Sequence, residues 1–228
     1  MENIKIIGVG GGGIKMINQL VIGSLQGEDV ASLDARMIIQ KVTENLKGAE
    51  IMVADTKKDS LLSAYVFKKI LLKKIAFDVR ENKGFDELMA ENRKVISAAL
   101  QGATVVFIAC GLGGKTGTNM ASMIADCAKE LGAVTIALVS LPFNFESPQR
   151  QKRAAEGYKN LKPKVNTIVK INCDKFLMIA PPGSSLDDIF YYVNESIRGT
   201  VKNLIDMDKF QEVFKTAGEI IFASDNDD

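Results

Sequence analysis

Two glycine-rich stretches have the residue types and spacing of loops that bind phosphate. The first reads Gly8-Val-Gly-Gly-Gly-Gly13 and matches the pattern GxGxxG, while the second reads Ala109-Cys-Gly-Leu-Gly-Gly-Lys-Thr-Gly-Thr-Asn119. Glycine lets the backbone approach an anion closely, and a helix that begins at such a loop offers unpaired N–H groups and the positive end of its dipole. Each stretch therefore predicts a phosphate-binding loop, provided that a strand precedes it and a helix follows.

The second stretch satisfies a loose P-loop pattern, with Ala109 in the place of the first glycine and Lys115 as the phosphate lysine. A P-loop enzyme also needs a hydrophobic strand that ends in an aspartate for Mg²⁺, but the next apolar run ends in Leu138-Val-Ser140. The first stretch alone is weak evidence for a dinucleotide site, because Asp55 lies much farther along than the usual spacing of about 20 residues. Two phosphate loops on one sheet instead favour one longer ligand, such as a nucleoside triphosphate.

The rest of the chain shows the strand and helix patterns that such loops need. Apolar runs rich in β-branched residues predict strands buried on both faces. These runs lie at 4–9, 51–54, 104–109, 134–139 and 167–171, with a weaker candidate at 74–79. Helical patterns lie at 14–22, 60–72, 86–100, 119–131, 148–161 and 186–205. Their alternation predicts a Rossmann-like α/β fold, in which a parallel sheet is flanked by helices and ligands bind at the carboxyl ends of the strands.

The stretch 24–48 lies between the first predicted helix and the second predicted strand. Its apolar residues Val30, Leu33, Met37, Ile38 and Val42 have helical spacing. We therefore predict a helical insert that covers the sheet edge, and a partner-binding helix is the alternative.

The composition of the 228 residues excludes several classes of protein. Apolar and charged fractions of 46% and 25% are typical of a globular protein, and a net charge of +1 gives no reason to expect nucleic acid as a partner. The absence of histidine excludes Ser-His-Asp and Cys-His hydrolases, and three cysteines without a CxxC motif predict reduced thiols and no metal site. Because no signal peptide pattern and no apolar run of about 20 residues occur, we expect a single cytoplasmic domain.

Five motifs occur in the order in which the tubulin/FtsZ superfamily has them, and the chain most closely resembles FtsZ. They are GVGGGG at 8–13, FIACGLGGKTGT at 107–118 in place of a strand followed by GGGTGTG, PFNFE at 142–146 with Arg150, NCDKFL at 172–177 in place of PNDKLL, and Phe190 with Asn194. The resemblance extends from residue 4 to about 205. It implies the nucleotide-binding fold of that family, ending in its long central helix.

The resemblance also implies a guanine nucleotide, GTP or GDP, together with Mg²⁺. The glycine loops would hold the phosphates through backbone N–H groups, with the hydroxyls of Thr116 and Thr118 available to the phosphates or to Mg²⁺. Glu146 and Arg150 would hold the sugar, Phe190 would stack on the base and Asn194 would pair with the guanine edge. The full set assigned to the nucleotide is Gly10, Gly11, Gly12, Gly13, Lys15, Asp55, Thr56, Gly111, Gly113, Gly114, Lys115, Thr116, Gly117, Thr118, Pro142, Glu146, Arg150, Cys173, Phe190 and Asn194.

Several positions depart from the family pattern. Lys15 replaces the asparagine that ends the first loop, and Lys115 replaces a glycine of the signature, so we expect two ammonium groups beside the phosphates. The alternative is that both lysines point into water. The loop after the second strand reads DTKKDSL at 55–61 where FtsZ has NTDAQAL, and the GAGANP loop has no counterpart at 78–84.

The end of the chain departs further, because the NxDxxD loop that positions the attacking water in the next subunit is not found. Asp206, Asp208 and Glu212 are the only carboxylates near the corresponding place, and solvated residues at a helix end are the alternative interpretation. We expect the segment 206–228 to stand in place of the family's second domain. Hydrolysis of GTP should therefore be slow or absent, or should need a partner.

The expected function is a guanine-nucleotide-binding protein that self-assembles head to tail into open filaments. A non-polymerising GTP-binding switch or scaffold, completed by a partner protein, is the alternative. Basic residues between Lys57 and Arg80 predict a solvated surface, with attraction to an anionic membrane surface or an adaptor as the sharper hypothesis. The sequence leaves open whether the chain would serve a division ring, membrane remodelling or the positioning of a plasmid or phage.

Overall fold

A computed structural model of the chain describes residues 3–29, 32–75, 84–207 and 218–222. The strands are β1 (Ile4–Val9), β2 (Glu50–Asp55), β3 (Lys68–Leu71), β4 (Val105–Gly111), β5 (Val134–Leu141), β6 (Thr167–Asn172) and β7 (Gly218–Phe222). The helices are α1 (Gly10–Ser24), α2 (Ala35–Asn45), α3 (Lys58–Leu62), α4 (Phe85–Leu100), α5 (Lys115–Glu130), α6 (Pro148–Leu161), α7 (Cys173–Ile179) and α8 (Leu186–Asp206), with a 3₁₀ turn at Lys162–Lys164.

The seven strands form one sheet in the order β3-β2-β1-β4-β5-β6-β7, and every neighbouring pair is parallel. Side chains alternate between the two faces, so that Ile6 and Phe107 pack with α1 and α8, while Ile7 and Ile108 pack with α4 and α5. Both faces are buried, which explains why the central strands read as unbroken apolar runs. The predicted Rossmann-like parallel sheet flanked by helices is confirmed. All carboxyl ends of the strands meet at one edge, which we call the carboxyl edge, and the opposite side is the amino edge.

The prediction of one helix over 60–72 is wrong in its second half. The helix α3 ends at Leu62, and residues 68–71 form the edge strand β3, in which Lys68 pairs in register with Met52 and Ile70 with Ala54. The physical reason is tertiary, because the Asn18 side chain of α1 donates a hydrogen bond to the carbonyl of Ser63 at 2.8 Å. The same side chain accepts one from the Tyr65 N–H at 2.8 Å, which turns the chain toward the sheet.

Other boundaries also differ from the sequence pattern. The weak strand candidate at 74–79 is not a strand at residues 74–75, and its remaining residues lie outside the described part of the chain. The short helix α7, which begins at an Asn172 cap, and the strand β7 were not predicted. Within 24–48 the structure forms α2, whose N-terminus is capped by the Asp34 side chain, while Val30 lies outside the described residues.

The helix α8 is the long helix that the sequence pattern predicted, and it lies against α1. It begins with a capping box in which Ser185 and Asp188 satisfy each other's backbone N–H groups. A methyl group at Gly23 of α1 would overlap the Arg198 side chain, so this glycine allows the two helices to approach. In the described part of the chain, none of the helices is both long and apolar enough to span a membrane.

Candidate functional site

The two glycine loops lie side by side at the carboxyl edge and contact each other through backbone atoms. Gly10 has a φ of +69°, and a Cβ on it would lie 2.9 Å from the backbone nitrogen of Gly117. A Cβ on Gly12 would lie 3.1 Å from the Cα of Gly111, and one on Gly13 would overlap the carbonyl oxygen of Ala109. These glycines are therefore required for the packing of one loop against the other, whether or not a ligand is bound.

Two other glycines face open space instead. A Cβ on Gly11 would have no atom within 4 Å, and the nearest atom to one on Gly114 would be the carbonyl oxygen of Gly111 at 4.0 Å. Both glycines line a cleft of about 340 Å³ into which the N-termini of α1 and α5 open. The first N–H groups of a helix have no partner within the helix. In α1 and α5 no capping side chain accepts from them either, and neither helix has an acidic residue in its first turn. Such a cradle suits an anion.

The side chains that line this cleft make it positive. Among the described residues of the lining, Lys57, Lys115 and Arg150 are cationic, and Asp55 alone is acidic. The Arg150 Nε lies 2.8 Å from a carboxylate oxygen of Glu146, which offsets its charge. Lys57 and Lys115 form no ion pair within the described part of the chain. A polyphosphate group fits the shape and the charge of this cleft.

The carboxylate of Asp55 accepts hydrogen bonds from backbone groups of the protein. Its side chain is 2% exposed, and one oxygen accepts hydrogen bonds from the N–H groups of Thr56 at 2.6 Å and Lys57 at 3.2 Å. This turn places the Thr56 hydroxyl 3.1 Å from that of Thr116 on the second glycine loop. No group of three or more acidic, cysteine or histidine side chains that could hold a metal occurs among the described residues. The donor set therefore does not fit a Mg²⁺ ion held mainly by protein carboxylates.

Thr118 does not line the cleft, although the sequence pattern placed its hydroxyl near the phosphates. It is 6% exposed, and its oxygen accepts the N–H of Gly113 at 2.9 Å. Gly113 has a φ of +92°, and a Cβ there would lie 2.7 Å from the Arg150 side chain. Thr118 and Gly113 therefore hold the shape of the loop, while Thr116 and Gly117 are among the residues that line the cleft.

The loop after β5 connects this cleft to a cluster of aromatic rings. Glu146 accepts a hydrogen bond from the N–H of Phe143 at 3.0 Å, and the buried Pro142 precedes it. The ring of Phe143 stacks on Phe145 at 5.0 Å and meets the edge of Phe190 on α8 at 5.3 Å. Glu146 thus fixes the loop that supports Phe190.

Phe190 is half-buried, and Asn194 lies one helical turn farther along α8, also half-buried. The Nζ of Lys15 lies 5.4 Å from the centre of the Phe190 ring. The prediction that both lysines lie beside the phosphates stays a prediction. Lys115 lines the cleft, whereas Lys15 is not among its lining residues. The reason is that residue 15 lies more than a full turn inside α1, on the side that faces α8.

Cys173 is the first residue of α7 and is buried behind the aromatic rings. Burial raises the pKa of its thiol to about 12, with smaller contributions from the charges of Asp174 and Glu146. The thiol stays protonated at neutral pH, so Cys173 contributes packing rather than nucleophilic chemistry.

Lys57 and Ser60 line the cleft but were not assigned to the nucleotide from the sequence. The signal was present, because Lys57 follows the carboxyl end of β2 by two residues, where ligands of parallel sheets bind. Lys57 was not assigned to the site because in the sequence it is one of several lysines in a basic stretch. That stretch is divided in the structure, because Lys68 lies at the amino edge and pairs with Glu50, and Arg80 lies outside the described residues.

Asp206, the candidate catalytic carboxylate that lies within the described residues, does not line the cleft of the same chain. Asp206 ends α8, about 24 Å along the helix from Phe190. It pairs with Lys47 at 3.8 Å and Lys202 at 3.1 Å, and Lys47 precedes β2 at the amino edge. Asp208 and Glu212 lie outside the described residues.

Comparison with known proteins gives one consistent result. The family description "Tubulin/FtsZ family, GTPase domain" matches residues 3–181. "Cell division protein FtsZ 1" of Thermococcus kodakarensis is 35% identical over 185 residues, which cover 78% of this chain and 43% of that protein. "Cell division protein FtsZ" of Buchnera aphidicola is 31% identical over 209 residues, which cover 90% and 49%. The chain thus spans about half the length of the curated relatives that it matches.

Solved structures agree with the sequence relatives. The structure described as "FtsZ dimer, empty" from M. jannaschii has a TM-score of 0.74 at 29% identity and covers 96% of this chain and 62% of its own. CetZ2 from Haloferax volcanii, in a structure described as a "GTPgS bound protofilament", has a TM-score of 0.70 at 22% identity, with 96% and 64% covered. The second likeness bears on the fold alone.

Proposed function

The chain belongs to the tubulin/FtsZ family, and we propose that it binds a guanine nucleotide, GTP or GDP, at the carboxyl edge of its sheet. The observation that carries this proposal is the continuous row of features along that edge. The positive cleft with two open glycines and two helix N-termini continues through Arg150 and Glu146 to the half-buried ring of Phe190. A nucleotide needs these three kinds of contact in this order, for phosphates, sugar and base.

A different set of groups would bind each of the phosphates, the sugar and the base. N–H groups of Gly10 to Gly12 and of Lys115 to Gly117 would donate to the phosphates, because no helical carbonyl can accept from them. Glu146 and Arg150 would exchange part of their mutual ion pair for the sugar hydroxyls. The Phe190 ring would stack on the base.

Recognition of the base would depend on Asn194 and Lys15. The amide of Asn194 can both donate and accept, as the edge of guanine requires. The Lys15 ammonium can only donate, so beside the Phe190 ring it favours a base with acceptor atoms on the exposed edge, as guanine has in O6 and N7.

Nucleotide binding is tested by calorimetric titration of the nucleotide-free protein with GTP, GDP and ATP. We expect guanine nucleotides to bind at least about tenfold more tightly than ATP, since a lost pairing edge leaves buried polar groups unsatisfied. Phe190→Ala and Asn194→Ala should weaken binding, whereas Phe67→Ala, which removes an exposed ring just before β3 at the amino edge, serves as the control. Equal affinity for ATP and GTP, or no binding of either, would refute the assignment.

We further propose that the chain self-assembles head to tail, with the carboxyl edge of one subunit against the amino edge of the next. Support comes from the family and from the FtsZ relative whose structure is described as a dimer. The two edges are different surfaces, so such a contact is heterologous and extends into an open filament. Two of the lysines that suggested an anionic membrane surface, Lys57 and Lys68, lie at opposite edges of the sheet. They therefore do not form one basic face that could bind a membrane.

We propose that hydrolysis of GTP is slow or absent, and the position and pairing of Asp206 support this proposal. In a head-to-tail contact this carboxylate would approach the neighbour's nucleotide, but its pairing with Lys47 and Lys202 lowers its capacity to orient a water molecule. Hydrolysis would then need the neighbour, a partner protein, or Asp208 and Glu212.

Electron microscopy and pelleting with GTP, with GDP and without nucleotide test assembly, and phosphate release measured in the same samples tests hydrolysis. Filaments that depend on nucleotide, with little phosphate released, are the expected result. A monomer under every condition would refute assembly and favour a nucleotide-dependent switch or scaffold that a partner completes.

A further inference from the structure

We propose that Lys57 and Lys115 form a clamp for the terminal phosphate of a nucleoside triphosphate, so that the cleft itself distinguishes GTP from GDP. This inference rests on the proposed function, since it concerns the far end of the same site. Lys57 follows β2, Lys115 begins α5, and both residues line the cleft.

The order of the strands places Lys57 at the terminal phosphate, and the contact between the hydroxyls of Thr56 and Thr116 at 3.1 Å brings Lys115 to the same end of the cleft. Arg150 and Glu146 follow β5, the glycine loops follow β4 and β1, and Lys57 follows β2. Neighbouring strands are about 4.8 Å apart, so the loops after β5 and β2 are separated by roughly 14 Å along the edge. A nucleotide whose sugar lies at Glu146 and Arg150 therefore directs its phosphates across the glycine loops and toward Lys57.

The charge of both lysines is available to a ligand. Three other basic groups near the ends of the strands are compensated: Lys5 and Lys68 by Glu50, and Arg150 by Glu146. Within the described residues, neither Lys57 nor Lys115 has an acidic partner, and both are exposed. The nearest carboxylate of the lining, Asp55, accepts backbone N–H groups instead.

The backbone position of Lys115 gives an independent reason to expect an anion. It is the first residue of α5, a 16-residue helix, where the helix dipole disfavours a positive charge. A bound phosphate reverses that effect, because the ammonium and the helix N-terminus then act on the same anion. Lys57 is held by the bond between its own N–H and Asp55, which fixes its backbone beside the cleft.

The clamp also makes a protein-held Mg²⁺ ion unnecessary for the preference between GTP and GDP. Two ammonium groups supply the positive charge that a divalent cation would otherwise bring to the last phosphate. The preference for GTP over GDP should therefore persist when divalent cations are removed.

Calorimetric titration with GTP and GDP, in EDTA and in MgCl₂ at the same ionic strength, tests the clamp. In EDTA we expect the wild-type protein to bind GTP about tenfold or more tightly than GDP, as one added charge-assisted contact implies. In Lys57→Ala/Lys115→Ala the two affinities should become equal to within about threefold. Lys58→Ala removes one exposed lysine next to Lys57 but outside the lining, so it should retain the preference.

The outcomes separate this inference from the proposed function. If the wild-type protein binds GTP and GDP equally, or if the double variant keeps the preference for GTP, the clamp is wrong while guanine-nucleotide binding stands. If no guanine nucleotide binds in either buffer, the proposed function is wrong and the clamp with it. Thermal unfolding without nucleotide adds a structural control, since the loss of Lys115 from the start of α5 should leave the midpoint unchanged or slightly higher.

Discussion

The charged side chains at the two edges of the sheet differ in whether they are paired. At the amino edge, Glu50 joins Lys5 and Lys68, and Lys5 also donates a hydrogen bond to the carbonyl of Ala99 at 2.8 Å. At the carboxyl edge, Lys57 and Lys115 have no acidic partner in the described part of the chain, and two uncapped helices add their N–H groups. Charge at the amino edge therefore contributes to folding stability, whereas charge at the carboxyl edge is available for binding.

The same contrast exists among the glycines of a single loop. Gly13 is filled on its side-chain face by the backbone of β4, while Gly11 faces the cleft. One glycine is required by the fold and the other is available to a ligand, although the sequence shows four identical residues in a row. Substitutions at both kinds of position can separate residues that the fold requires from residues that are available to a ligand.

Gly13→Ala should lower the free energy of unfolding by on the order of 3 kcal/mol, because the methyl group would overlap the carbonyl of Ala109 and neither backbone can move freely. Gly11→Ala should change it by less than about 0.5 kcal/mol, and should instead weaken nucleotide binding. Urea unfolding of both variants, with calorimetry for the nucleotide, measures the two effects. Equal destabilisation by the two variants would contradict the assignment of separate roles.

Glu50→Gln should lower the free energy of unfolding by about 1–2 kcal/mol, since it leaves the buried ammonium of Lys5 without its counter-ion. The effect is smaller than for a fully buried pair because the Glu50 side chain is 42% exposed and solvent screens its charge. Glu28→Gln breaks the surface pair with Lys41 and serves as the control, with an expected loss below about 1 kcal/mol.

Glu50 also predicts a dependence on pH. Burial raises the pKa of its carboxyl group, but hydrogen bonds and charge from Lys68 and Lys5 outweigh burial, so the pKa lies below its ordinary value of 4.5. A lowered pKa in the folded state stabilises the protein above about pH 4.5, and this contribution is lost as the pH falls through the folded-state pKa. The difference in stability between wild type and Glu50→Gln should thus be constant near pH 6 and should shrink below pH 4.5. A difference that grows in acid would contradict the ion-pair account.

Asp206→Asn should have the smallest effect on stability, below about 1 kcal/mol, because both of its ion pairs are with lysines that are half exposed. If Asp206 has no part in hydrolysis, phosphate release by the variant should equal that of the wild type. A clear loss of phosphate release, with assembly unchanged, would instead assign a catalytic role to Asp206 from the neighbouring subunit.

Much of the scaffold could be predicted from local patterns. The strands 4–9, 104–109 and 134–139 and the helices at 86–100 and 148–161 were placed within two residues of their observed bounds, because long runs of one period leave little ambiguity. The segment 60–72 was misread because four residues of β3, rich in lysine, have no period of their own. Their strand conformation depends on Asn18 and on β2, which are distant in sequence.

The candidate site was predicted in part for the same reason. The glycine loops are local features of the sequence, and so are the spacings Glu146–Arg150 and Phe190–Asn194. The structure brings all of them to the carboxyl edge. Lys15 and Lys57 could not be placed in this way, since a lysine side chain is long and its position depends on which distant surface lies within its reach. The structure puts Lys15 on the ring of Phe190 and Lys57 in the cleft.

The sequence by itself determined the alternation of the main strands and helices and the presence of two glycine loops, because glycine spacing and apolar period are properties of neighbouring residues. Only the tertiary structure decided which glycines pack against backbone and which face the cleft, and which lysines are neutralised by a carboxylate. Those distinctions depend on contacts between segments that are distant in the sequence, such as the pair Lys5–Glu50 at 3.1 Å and the contact of Lys15 with the Phe190 ring at 5.4 Å.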